Sequence, residues 1–128
     1  VARVYGIQNV DPWSKFGVMI RETLAADSTN ATVLLSANNG ARFQYRSTTA
    51  GTTASAGPAG IAAPYWLKLT RVGNVFTGYM SPDGTTWTQV GTPQTIAMSS
   101  TTYIGLAGTS HDANMWGTGT FDCVLPIP

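Results

Sequence analysis

A chain of 128 residues fits one domain, residues 1–128, and can bury a real core. Seven basic and six acidic side chains leave a net charge of +1, which excludes the basic stripe of a nucleic-acid binder. At 43% hydrophobic the composition excludes intrinsic disorder, and no apolar run approaches the roughly 18 residues of a membrane span.

In chain order, residues 2–8 (ARVYGIQ) read as a strand and residues 9–12 (NVDP) as a turn. Residues 16–22 (FGVMIRE) are apolar on both faces until Arg21, which predicts a central strand covered on both sides. Residues 24–30 are expected to form one short helical turn. Residues 31–37 (ATVLLSA) read as a strand, and Asn38, Asn39 and Gly40 as a hairpin turn. Residues 41–46 (ARFQYR) alternate, with Phe43 and Tyr45 on one face and Arg42, Gln44 and Arg46 on the other. Residues 47–63 are a tract of Thr, Ser, Ala, Gly and Pro, expected as a loop with one short edge strand.

The strongest pattern follows. In residues 66–71 (WLKLTR), Leu67 and Leu69 face one way and Trp66, Lys68 and Thr70 the other. Gly73-Asn74 suits a hairpin turn, and residues 75–80 (VFTGYM) return. Pro82-Asp83-Gly84 is a second turn, and residues 86–90 (TWTQV) form the third strand of this meander. Residues 94–98 (QTIAM) are expected as a separate short strand. Residues 102–109 (TYIGLAGT) place Ile104 and Leu106 inward and Tyr103 outward. Residues 110–117 (SHDANMWG) are a loop, and residues 118–125 (TGTFDCVL) a closing strand. Short strands with turn chemistry every 8–12 residues predict an all-β, two-sheet antiparallel sandwich without a long helix.

Abundant Thr, Ser, Ala, Gly and Asn, with Glu22 the single glutamate, suits β-structure with long polar loops and is common among secreted proteins. No leader-like segment opens the chain, so a mature or excised form is expected. Cys123 is the lone cysteine. It excludes an intrachain disulfide and a thiolate zinc cluster, and it reads as a small buried residue. Asn30-Ala31-Thr32 is a glycosylation sequon.

Residues 13–21 (WSKFGVMIR), 64–71 (PYWLKLTR), 81–87 (SPDGTTW) and 103–107 (YIGLA) together resemble bacterial laminin-G-like domains of the concanavalin A-like superfamily. The four stretches come in that family's order and span nearly the whole chain. The resemblance implies a jelly-roll sandwich, attached to secreted glycosidases, proteases or adhesion proteins. Members of the superfamily bind sugars, bind calcium, cleave glycans or have no known ligand, so the fold alone leaves function open. Such domains usually carry further strands before the one that opens this chain. The resemblance therefore implies a sandwich lacking N-terminal strands, with an edge left open or filled by a neighbouring copy. The apolar ends, VARV and VLPIP, suit such self-assembly.

Catalysis is not expected. Glycoside hydrolysis needs two carboxylates across the bond. The six acids, Asp11, Glu22, Asp27, Asp83, Asp112 and Asp122, form no close cluster such as the E-x-D-x-x-E of related glucanases. The hairpin at residues 81–87 is similar to the Asp-box of sialidases, one residue short, and reads as a structural staple. A Ser-His-Asp triad would need His111, the single histidine, and no nucleophile elbow accompanies it.

Sugar binding is the sharper expectation. Exposed aromatic faces meet the CH groups of a sugar while planar polar side chains pair with its hydroxyls. The candidates are Trp66, Trp116, Arg46, Gln44, Arg21, His111, Asp112 and Asn114, with Trp13 and Tyr103 beside them. Trp66, Gln44 and Arg46 are expected to share one sheet face, and Trp116 to be exposed in its loop. The blander assignment makes Trp13 and Trp87 core or loop anchors. No cofactor is called for. Calcium remains open through Asp112 with Asn114, or Asp27 with Asn30, although no D-x-D-x-D spacing occurs. The expected function is a non-catalytic, extracellular glycan-binding module. The alternative is a self-assembling subunit of a fibre, surface layer or adhesin that exchanges strands between copies.

Overall fold

The computed structural model describes residues 1–126. It contains ten strands and, among the described residues, no helix. The strands are β1 (Ala2–Ile7), β2 (Lys15–Arg21), β3 (Asn30–Ser36), β4 (Ala41–Arg46), β5 (Ala54–Ala56), β6 (Tyr65–Val72), β7 (Val75–Ser81), β8 (Thr88–Thr95), β9 (Tyr103–Thr109) and β10 (Gly119–Asp122). They form two antiparallel sheets packed as a sandwich. The first has the order β10-β1-β6-β7-β8 and the second β5-β4-β3-β2-β9.

Period-two alternation supplies both inner faces. Ala2, Val4, Leu67, Phe76, Met80 and Val90 of the first sheet meet Phe16, Val18, Ile20, Val33, Leu35 and Phe43 of the second. Leu67, Phe76 and Phe43 are at most 1% exposed. Burying a side chain of this size contributes about 1.5–3 kcal/mol. Gly78 makes room for the largest of them: a Cβ there would lie 3.2 Å from Cδ2 of Phe43.

The meander forms as its turn residues dictate. Trp66 pairs with Ser81, Lys68 with Tyr79 and Thr70 with Thr77 in an unbroken β6–β7 ladder. The β7–β8 ladder then jumps, with Phe76 opposite Gln94 and Gly78 opposite Val90. Gly91, Thr92 and Pro93 therefore bulge, and Gly91 takes a φ of 68°. Pro93 has no N–H to offer a ladder and sits where the ladder is broken. Residues 94–98 are thus not a strand of their own. Gln94 and Thr95 continue β8 past the bulge, and Ile96 and Met98 drop into the core.

Other expectations are corrected. Residues 24–30 form no helix, only a single turn in which the Ser28 amide donates to the Ala25 carbonyl at 3.1 Å. The Ser28 hydroxyl accepts the Thr23 amide at 2.9 Å, and Arg21 donates to the carbonyls of Thr23 and Ala25. Those side chains take the backbone groups a helix would need. The closing strand ends at Asp122, because Cys123 turns to a φ of 50°. Cys123 is exposed rather than buried. The outer face of β2 is not covered by another layer, and Met19 there is half-buried. The sequon asparagine lies buried at the start of β3, its Nδ2 donating to the Ser28 carbonyl. Ile104 and Leu106 do point to the inner side, since their ladder partners Ile20 and Val18 are core residues. Yet they are 72% and 48% exposed, because β9 ends its sheet with no strand of the first sheet packed closely on it.

Candidate functional site

The outer face of the second sheet carries a groove of about 270 Å³. Its floor comes from the outward residues of three neighbouring strands: Met19 of β2, Asn30, Thr32 and Leu34 of β3, and Gln44 of β4. Lys15, Arg21 and Arg46 line its walls, and no Asp or Glu does. The ion pairs among the described residues, Arg3 with Asp122 and His111 with Asp11, involve none of these three cations.

The two arginines are held by neutral groups, and Lys15 lies near the Asp11 carboxylate. Arg46 donates from Nε to the Gly51 carbonyl at 2.9 Å and from Nη1 to the Ala26 carbonyl at 2.8 Å. Arg21 is tied to the Thr23 carbonyl at 2.6 Å. Lys15 leans over the Trp13 ring, 5.8 Å from its centroid, and Arg42 covers the same ring at 5.2 Å. Partial burial holds the Lys15 ammonium below its ordinary pKa. Backbone carbonyls orient the guanidinium groups without cancelling their charge, so the groove is electropositive.

A second concavity, of about 480 Å³, lies where β9 runs into the 110–117 loop. Phe16 forms its base, and Asp112, Asn114, Met115 and Trp116 line it. Trp116 is 95% exposed, as expected for that loop. Gly108 and Thr109 at the end of β9 line both hollows, one on each side of the strand. His111 stands beside them, exposed at a φ of 63°, with Nδ1 3.2 Å from Oδ1 of Asp11. Asp112 Oδ1 accepts the Asn114 amide at 2.9 Å, which shapes the loop.

The sequence candidates therefore divide. Arg21, Gln44 and Arg46 share the groove, while Asp112, Asn114 and Trp116 share the adjoining cleft. Trp66 belongs to neither. The expectation that it shares a face with Gln44 and Arg46 is wrong, because β6 pairs with β1 and β7 in the first sheet whereas β4 lies in the second. On the outer face of its own sheet Trp66 is half-buried. A Cβ on Gly84 would come within 2.9 Å of its Cε2, and Arg3 sits 5.6 Å from its ring centroid. Trp87 is held in the same way by Lys68, 4.3 Å from its centroid. Both rings anchor the hairpin after β7. Tyr103 is 53% exposed opposite Arg21 and flanks the groove side of β9.

Three of the six carboxylates are held by the local structure. Asp83 accepts from the Thr85 and Thr86 amides at 2.8 and 2.7 Å and from the Ser81 hydroxyl at 2.9 Å, which holds it far below the usual carboxylate range. Asp122 is held low by Arg3, and Glu22 accepts the Ser99 amide at 2.8 Å. Among the described residues no three of His, Cys, Asp and Glu come together as a metal site would need. Of the calcium candidates, Asn30 is buried with its amide engaged, while Asp112 and Asn114 stand in the 110–117 loop.

Lys15, Met19, Thr32 and Leu34 were not among the sequence candidates. Lys15, Met19 and Arg21 fall at alternate positions of β2, so the signal was present, but the apolar run hid it. No family model, no curated protein and no solved structure matches the chain.

Proposed function

We propose that this chain is a non-catalytic extracellular module that binds glycans, of the laminin-G-like, concanavalin A-like kind its sequence resembles. The observation that carries the reading is the groove on the second sheet, with three cations, an amide-bearing floor and no lining carboxylate. Such a groove suits a chain of sugar hydroxyls bearing carboxylate or sulfate groups. Arginine and lysine pair with the anions, Gln44 with hydroxyls, and Met19 with a CH face. Tyr103, opposite Arg21, flanks it as a stacking surface, and Trp116 offers another in the cleft beyond β9. Engagement of Asp83, Asp122 and Glu22 in local bonds supports a non-catalytic role.

The test is retention on immobilised polygalacturonate and on a neutral β-glucan, each with and without calcium. Retention on the acidic polymer should weaken as salt is raised. Lys15→Gln should weaken it roughly tenfold, the scale of one charge-assisted hydrogen bond, with Tm nearly unchanged. Trp116→Ala should weaken retention at unchanged Tm as well. Failure to bind either polymer removes the reading.

The uncovered inner side of β9 favours a second reading, a self-assembling subunit of a fibre, surface layer or adhesin. Light scattering with electron microscopy of the same sample distinguishes the two: polymers support assembly, and a clean monomer at high concentration opposes it.

A further inference from the structure

The register of the second sheet orders the groove rung by rung. Arg21 of β2 pairs with Asn30 of β3, and Asn30 pairs with Arg46 of β4, so these three outward residues share one rung. Tyr103 of β9 extends that rung on the other side of Arg21. Met19, Thr32 and Gln44 form the next outward rung, which carries no charge. Beyond it Arg42 covers the Trp13 ring, donates to the Gly57 carbonyl at 3.0 Å and does not line the groove. Lys15 comes last, at the opposite end of β2 from Arg21, a distance of about 20 Å at the rise of a strand.

The positive charge therefore lies at the two ends of the groove, with a neutral floor between them. At one end both guanidinium groups converge on a single loop. Arg46 donates from Nη1 to the Ala26 carbonyl, and Arg21 from Nη2 to the neighbouring Ala25 carbonyl. Each Nε is also bonded, to Gly51 and to Thr23. Among the described residues Nη2 of Arg46 is left free, and Nη1 of Arg21 meets only the Met19 sulfur, 3.6 Å away. At the other end Lys15 makes no ion pair among the described residues. Asp11 near it accepts the Trp13 amide at 2.7 Å and pairs with His111. The described tail does not cover the groove. The Leu125 amide donates to the Val1 carbonyl at 2.8 Å and the Val1 amino group to the Leu125 carbonyl at 2.9 Å, so the tail lies along the first sheet. Ile127 and Pro128, the rest of that apolar end, lie outside the described residues.

We infer that the groove takes a linear acidic oligosaccharide laid along β2 and held at two points. One acidic group sits on the Arg21–Arg46 rung, and another, about 20 Å along the same ligand, sits on Lys15. The neutral floor carries the intervening rings, and Tyr103 stacks on the ring at the arginine end. A short ligand reaches one anchor; only a chain that spans the groove reaches both. This rests on the glycan-binding reading of the same groove, to which it adds the length and direction of the ligand.

Calorimetry on the 128-residue chain compares digalacturonate, shorter than that span, with octagalacturonate, longer than it. The octamer should bind at least about tenfold more tightly, the scale of one further charge-assisted hydrogen bond. Lys15→Gln should bring that long-to-short ratio towards one. Tyr103→Ala, at the arginine end, should weaken both oligomers alike and keep the ratio. Lys68→Gln removes the same charge from the first sheet and should leave the ratio unchanged. Amide signals read the same geometry without a variant: the octamer should shift those of both Lys15 and Arg21, and the dimer that of Arg21 alone. A ratio near one in the unaltered chain, a ratio that survives Lys15→Gln or falls equally with Lys68→Gln, or an octamer that shifts one end only overturns the two-anchor inference and leaves the glycan reading standing. Binding of neither oligomer, nor of polygalacturonate, removes both.

Discussion

Asp83 shows how much one side chain does in a tight turn. It accepts two backbone amides and two hydroxyls within four residues of itself. Those donors stabilise the anion, so its pKa in the folded chain lies well below the ordinary 3.8. Because the folded value is depressed, the stabilisation is present above the unfolded pKa and is lost as pH falls below about 4 towards the folded value. Asp122, lowered by Arg3, has the same sign. Asp83→Asn should therefore flatten the acid side of a plot of Tm against pH; an unchanged slope below pH 4 would refute the assignment. Trp66 is the second telling residue. It packs under Gly84 and beside Arg3, so Trp66→Ala should destabilise the chain by about 2 kcal/mol, below the 3–5 of a full core tryptophan. Denaturant unfolding measures this, and a cost near zero would return Trp66 to the list of free stacking surfaces.

Among elements, β8 and β9 carry the contrasts. The β8 bulge lets one strand serve both the hairpin with β7 and the descent of Ile96 and Met98 into the core. Gly91→Val should cost at least about 1 kcal/mol, because a branched side chain resists a left-handed φ. Equal stability of the variant by urea titration would show that the bulge relaxes. The central strands β2, β3 and β4 of the second sheet contribute the groove by alternation, since every second residue faces away from the core. Arg21 and Arg46 brace loops from those strands and line the groove at once. Loss of either thus affects loop order as well as ligand, which is why Lys15 is the cleaner probe.

At the scale of the whole molecule, both sheets share one core cluster, and Val1 and Leu125 exchange backbone hydrogen bonds. Arg3 and Asp122 lock the same two strands, Nε to Oδ1 at 2.6 Å. Unfolding should accordingly be a single cooperative transition. Far-ultraviolet circular dichroism and tryptophan fluorescence should coincide, because Trp13 reports on the second sheet and Trp66 and Trp87 on the first. Transitions that separate would mean that the sheets melt independently. The uncovered side at β9 is the place where such separation would begin.

Sequence alone determined the strands whose side chains alternate or whose turns demand Gly, Asn or Asp. Phe43 and Tyr45 against Gln44 and Arg46, Leu67 against Trp66 and Lys68, and the Pro82-Asp83-Gly84 turn were all legible, because period two and positive φ are local properties. Half of the candidate site was legible too, since Arg21, Gln44 and Arg46 lie on outward positions. Tertiary structure decided the rest. Which sheet each strand joins is a matter of long-range pairing, and it separated Trp66 from Gln44 and Arg46. Whether an inward residue is covered depends on the layer opposite, so Ile20 is buried while its ladder partner Ile104 stays exposed. Alternation tells a side chain which way to point; only the packed neighbour determines what it meets there.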